Sequence, residues 1–216
     1  MYWIDKIMFG NPNSIQLVEM NKETYLDSLY SDLSKYNFPT NSSESTISEL
    51  NELVELIKNI KDDNEWKRRY FMYDRYLIKY FKEELTDDDK EKSKISNLID
   101  NILNDSTPLL LKLKYFFNRP RPKQLASAYN LKLFPYKSYT DDSPSFPSGH
   151  AFYAKLFCEI IGNTYPESYN EMQKLIKDIC NSRKYMGLNY QSDIDMGLFF
   201  AEKALENYEF KLKYSL

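Results

Sequence analysis

Three cationic side chains, Lys114, Arg121 and Arg183, fall in an order that suits an oxyanion. Between the second and third lies Pro147-Ser148-Gly149-His150, which opens an apolar stretch of helical character. Serine is a good helix N-cap, and glycine lets a ligand approach the backbone closely. The first N–H groups of a helix have no intrahelical partner and carry the positive end of its dipole. Such a corner takes anions readily. His150, the single histidine of the 216 residues, could trade protons with that anion near neutral pH. Catalysis at a phosphoryl group is mostly positioning plus electrostatics around its oxygens. The planar fork of arginine offers two parallel bonds to phosphate. These residue types therefore predict a phosphoryl site, with the Ser148 O–H and the Gly149 N–H completing the cradle. Taken singly, each cation is as well explained as a helix-end cap or a partner of Asp141 or Asp142. The joint order carries the argument.

That order resembles the superfamily of type 2 phosphatidic acid phosphatases and vanadium haloperoxidases. Its signature is Lys-x6-Arg-Pro, then Pro-Ser-Gly-His, then Ser-Arg-x5-His-x3-Asp. Lys114 to Arg121-Pro122 fits the first motif, residues 147–150 the second, and Ser182-Arg183 with Asp193 the third. The additional Arg119 is similar to the Arg-x-Arg-Pro of soluble bacterial class A acid phosphatases, and is an accessory candidate. The resemblance spans residues 114 to about 195. It implies an all-α helical bundle of the acid phosphatase/haloperoxidase type, and metal-independent hydrolysis of a phosphomonoester through a phosphohistidine. It further implies His150 as general acid on the leaving oxygen and Asp193 as the residue that orients the nucleophilic imidazole. No cofactor is implied; phosphate or vanadate would occupy the site.

The chain departs from the pattern at the nucleophile, where Asn189 stands. A carboxamide has no basic lone pair with which to attack phosphorus, although its N–H can donate to a phosphate oxygen. The site is therefore expected to bind an oxyanion and fail the covalent step. Vanadium-dependent chemistry is disfavoured by the same change. Two origins compete: an engineered histidine-to-asparagine inactivation, or a natural pseudoenzyme that binds without turnover. The intact state of every other motif position, Asp193 included, favours the first.

The bulk properties set limits. Net charge is −3, which gives no global basic character for a nucleic-acid polymer. The partner expected is a small phosphorylated molecule such as a nucleotide, sugar phosphate or pyrophosphate, with self-association left open. No basic segment followed by a long apolar run begins the chain, and no stretch reaches the ~18–20 apolar residues of a membrane span. A cytoplasmic protein is expected, with Cys158 and Cys180 reduced and packed.

The elements that must position the site read as helices. Trp66, Tyr70, Tyr73, Leu77 and Tyr80 trace one helix face. Ile95, Leu98, Ile99 and Ile102 follow after Thr86 as cap, and Leu109, Leu113 and Phe116 extend the pattern to the proline break at 119–122. The run Asp87-Asp88-Asp89 suits a solvated helix start. Ile47, Leu50, Val54 and Ile57 make a shorter helix capped by Ser45 or Thr46. Residues 136–147 read as a loop. Helices then run from His150, from Pro166, and from about Ser192 to Tyr208. Residues 1–45 are expected to form a helical appendage, and 46–216 the domain carrying the motifs at 114–122, 147–150 and 182–193.

Overall fold

The computed structural model describes residues 2–60, 64–83 and 85–216, without the side chains of 64–66. Eleven α-helices lie among the described residues: α1 (Ser14–Met20), α2 (Tyr30–Leu33), α3 (Glu44–Asn59), α4 (Asn64–Arg75), α5 (Leu77–Glu83), α6 (Asp89–Phe117), α7 (Pro122–Ala128), α8 (Gly149–Thr164), α9 (Tyr169–Tyr185), α10 (Gln191–Glu206) and α11 (Tyr208–Tyr214). Short 3₁₀ turns cover Trp3–Lys6, Tyr25–Leu29 and Pro166–Ser168. No β-strand occurs among the described residues, so the chain is the all-α bundle that its periodicity predicts.

The core forms where the apolar faces of α5, α6, α8, α9 and α10 meet. Phe81, Ile99, Leu113, Phe157, Ile179 and Phe200 are completely buried there. Burying a side chain of this size contributes about 1.5–3 kcal/mol, which is why the apolar spacing directs the assembly. Leu26 and Leu33, from the N-terminal 45 residues, join the same core. A smaller cluster of Ile4, Leu50, Leu53, Leu125, Leu133 and Tyr190 packs the other flank. Both cysteines are buried and unbridged.

Several boundaries differ from the sequence expectation. The aromatic face is divided at Tyr76 into α4 and α5; the Trp66 side chain lies outside the described residues. At this bend Asp74 turns toward the loop at 138–140 while Leu77 enters the core. The cap of α3 is Ser43, whose oxygen accepts from Thr46 N. The cap of α6 is Asp88, accepting from Glu91 N at 2.8 Å, whereas Thr86 Oγ1 accepts from Asp88 N. In each case the favoured cap is the oxygen that reaches the third N–H of the helix. Pro122 occupies the first turn of α7, where a missing N–H costs nothing. The last expected helix stops at Glu206, and Asn207 caps a separate α11 through Phe210 N.

Two glycines let the helices around the site close up. A Cβ on Gly197 would lie 2.5 Å from the Ser148 carbonyl, so α10 rests directly on the start of α8. Gly187 has φ +71°, a left-handed conformation that ends α9 and turns the chain toward Asn189.

Candidate active site

The loop at 129–148 is irregular yet runs through the interior, with Ser143, Ser145 and Phe146 buried. Its carbonyls must find donors, and the cations predicted for the site supply them. Lys114 Nζ donates to Pro144 O at 2.7 Å, and Arg121 Nε donates to Ser143 O at 2.8 Å. Arg121 also donates to Leu188 O at 3.0 Å. Arg121 holds the N-cap position of α7, but among the described residues neither side chain forms an ion pair with Asp141 or Asp142.

These anchors shape a cavity of about 220 Å³ lined by Lys114, Arg121, Gly149, His150, Arg183 and Asn189, together with Asp74, Arg75, Thr140 and Ser143. Six of the positions singled out in the sequence thus meet around one space, from α6, α7's cap, α8, α9 and the turn after α9. Ser148 does not line it. Its hydroxyl is fully buried and accepts from Ala151 N at 3.4 Å as the cap of α8. Asp193 stands behind Asn189, and Arg119 behind Asp193.

Asn189 is bonded on every side. Its amide nitrogen donates to Ser145 O at 2.9 Å and to Asp193 Oδ2 at 3.2 Å. Its oxygen accepts from Arg121 and from Arg183, each at 3.4 Å. Acceptors on one side and guanidinium donors on the other fix the orientation of the amide. Asp193 has further tasks. Its Oδ2 accepts from Tyr190 N at 3.0 Å at the start of α10, and its Oδ1 pairs with Arg119 at 2.7 Å. Arg119 is wholly buried, contacts Glu49 at 3.4 Å, donates to Ser192 Oγ, and lies 3.9 Å from the centre of the Tyr190 ring. Retention of Asp193 therefore has a folding reason that does not involve a histidine at 189.

Asp74 is the site residue that the sequence did not reveal. It is buried on α4 and pairs with Arg183 at 2.7 Å. Ser138 and Thr140 hydroxyls donate to it at 2.7 Å each, and Tyr139 N at 2.9 Å. Burial pushes this carboxyl up, but the Arg183 charge and these donors outweigh it and bring the pKa down to about 2. Its one sequence signal is an acid set directly beside the buried Tyr73 of an aromatic face.

The cavity is electropositive. Burial, and then the neighbouring guanidinium of Arg121, holds Lys114 well below the usual lysine range. Arg121 falls to about 10 through burial and the Arg183 charge. His150 is held well below the usual imidazole range, first by burial and then by Arg183. Its Nε2 lies 3.3 Å from Asp74 O and 3.4 Å from Arg183 Nη1. One neutral tautomer donates to the carbonyl and the other accepts from the guanidinium. These surroundings favour neutral imidazole, and an entering dianion would favour its protonation.

Among the described residues, no group of three His, Cys, Asp or Glu side chains is arranged to hold a metal ion, and no helix is long and apolar enough to cross a membrane. No family model and no curated protein matches the sequence. The fold does match solved structures. One is the crystal structure of a transmembrane PAP2-type phosphatidylglycerolphosphate phosphatase from Bacillus subtilis, at 16% identity and a TM-score of 0.51, covering 84% of this chain and 94% of that one. A likeness at this identity defines the fold: a helical bundle of the PAP2 type.

Proposed function

We propose that this chain binds the phosphate group of a small phosphorylated molecule in the 220 Å³ cavity, and that its parent reaction is metal-independent phosphomonoester or pyrophosphate hydrolysis through a phosphohistidine. The supporting observation is the convergence of Lys114, Arg121, Arg183, Gly149 and His150 on the space in front of Asn189. The three cations hold the phosphate oxygens, Gly149 N–H contributes at the start of α8, and His150 faces the leaving oxygen. In the parent reaction a histidine at 189, held by Asp193, attacks phosphorus, and protonated His150 gives its proton to the departing alkoxide. Asn189 removes the first of these steps. Ser148 serves the cradle by capping α8, and Arg119 by fixing Asp193.

The test is Asn189→His, assayed with p-nitrophenyl phosphate. The expected result is hydrolysis above the level of the present chain, by up to the order of 10⁶, and its loss on adding His150→Ala. A second reading, a natural phosphate-ester binder without turnover, is favoured by the complete hydrogen bonding of Asn189 and the folding tasks of Asp193. Phosphate binding by the present chain, with no cleavage of any ester by Asn189→His, decides for that reading.

A further inference from the structure

A second depression of about 390 Å³ lies beside the cavity, lined by Lys67, Arg68, Phe71, Tyr136, Lys137 and Tyr139 among others. No described residue lines both, but residues of the cavity touch Tyr139 of the depression. Arg75 lines the cavity, and its guanidinium lies 4.4 Å from the centre of the Tyr139 ring. Asp74, the partner of Arg183, holds Tyr139 through its backbone N–H. Phe71 packs edge-on against both Tyr139 and Tyr76 at 5.9 Å, which makes an aromatic wall. That wall is open to solvent: Phe71 is 38% exposed and Tyr139 47%. Lys137 lies 5.2 Å from the Tyr139 ring on the same side of the molecule. Among the described residues, Lys67, Arg68 and Lys137 line the groove and no carboxylate does.

Exposed rings backed by cations suit a flat, electron-rich ring that travels with negative charge. A ring of this kind stacks without needing specific hydrogen bonds. Tyr139 is followed by Thr140, which lines the phosphate cavity, and its ring meets Arg75, which lines it too, so one ligand can reach both. We infer that the Phe71–Tyr139 groove is a leaving-group subsite that selects nucleotides, with the phosphate at Lys114, Arg121 and Arg183 and the base against the aromatic wall. This rests on the phosphate-binding reading above and names its ligand class.

Calorimetric titration of the whole chain with inorganic phosphate, ribose 5-phosphate, adenosine and adenosine 5′-monophosphate tests it. The nucleotide is expected to bind at least about tenfold tighter than ribose 5-phosphate, the scale of one stacking contact. Phe71→Ala combined with Tyr139→Ala is expected to remove that advantage and leave inorganic phosphate binding unchanged. Phe71→Trp is expected to preserve it. Equal affinity for the nucleotide and ribose 5-phosphate overturns the inference, as does an advantage that survives the double variant. Phosphate binding that Arg183→Ala leaves intact, or its absence, instead overturns the phosphate site itself. Nucleotide binding that still depends on Tyr139 would then leave the groove as a separate base site and refute the single-ligand arrangement.

Discussion

Arg119 and Arg121 are two residues apart, both buried, and differently compensated. Arg119 meets two carboxylates, Asp193 at 2.7 Å and Glu49 at 3.4 Å, and packs on Tyr190. Arg121 donates, among the described residues, to carbonyl and carboxamide oxygens of Ser143, Leu188 and Asn189 and makes no ion pair. The regions around them repeat the contrast. Behind Asn189, one cation faces two acids. In front of it, the buried Lys114, Arg121 and Arg183 share a cavity with the exposed Arg75 and, among the described residues, one acid, Asp74. Buried charge left without a counter-ion is costly. A fold that keeps such charge on one side of a residue and neutralises it on the other marks the first side for an anion and the second for scaffolding.

The sharpest way to break this comparison is to replace each arginine by methionine. Arg119→Met strands two carboxylates, so a loss of about 3–5 kcal/mol in urea unfolding is expected. Arg121→Met removes a buried cation repelled by Arg183 and costs its carbonyl acceptors a donor. A stability change under about 2 kcal/mol is expected, with phosphate binding weakened roughly tenfold or more. Equal destabilisation by the two variants would erase the distinction between the regions.

Gly197→Val probes how closely the scaffold is fitted to the cavity. Its Cβ would sit 2.5 Å from Ser148 O, so α10 must move off α8 at about 1–3 kcal/mol. Phosphate affinity is expected to fall with stability, because the Gly149 N–H moves with α8. A stable variant with unchanged affinity would dissociate the two.

Acid tests Asp74, the one carboxylate among the described residues that line the cavity. Asp74 titrates at about 2 in the fold and near 3.8 in the unfolded chain. Its contribution is complete above the unfolded value and is lost as pH falls through the folded one. Roughly 2 kcal/mol of acid sensitivity is therefore expected to disappear in Asp74→Asn, read from unfolding midpoints as a function of pH. The smallest effect is spectroscopic. With one histidine in the chain, the imidazole signals in NMR belong to His150. They should titrate below the usual imidazole range in the free protein and move upward when phosphate is added. Stability from neutral His150 is present above the ordinary imidazole pKa and declines as pH falls toward the depressed value. An imidazole that titrates normally, or that ignores phosphate, removes the electropositive cavity from the account.

Much of this architecture was legible before any coordinates, because helical periodicity is local. The faces through Leu50, Ile99, Leu113, Phe157 and Ile179 became the core, and the loop at 136–147 stayed irregular. The caps fell to Ser43 and Asp88 rather than to Ser45 or Thr46 and Thr86, and α11 stands as a separate helix, because neighbouring residues of similar propensity compete for a helix end. The all-α class followed from helical periodicity, and the meeting of Lys114, Arg121, His150, Arg183 and Asn189 was what the resemblance of the three ordered motifs to a known family implied.

What the motifs could not contain was the far side of each contact. Asp74 comes from another helix, and its pairing with Arg183 depends on a bend at Tyr76 that periodicity had smoothed over. Arg119, by sequence an accessory candidate beside Arg121, is committed instead to Asp193 and Glu49. That finding also changes the meaning of an intact Asp193, which holds the start of α10 and balances a buried guanidinium whatever stands at 189. Residue type and spacing determined which groups could meet a phosphate. Only the tertiary structure decided which charges are balanced, because neutralisation depends on through-space partners separated by up to 109 residues.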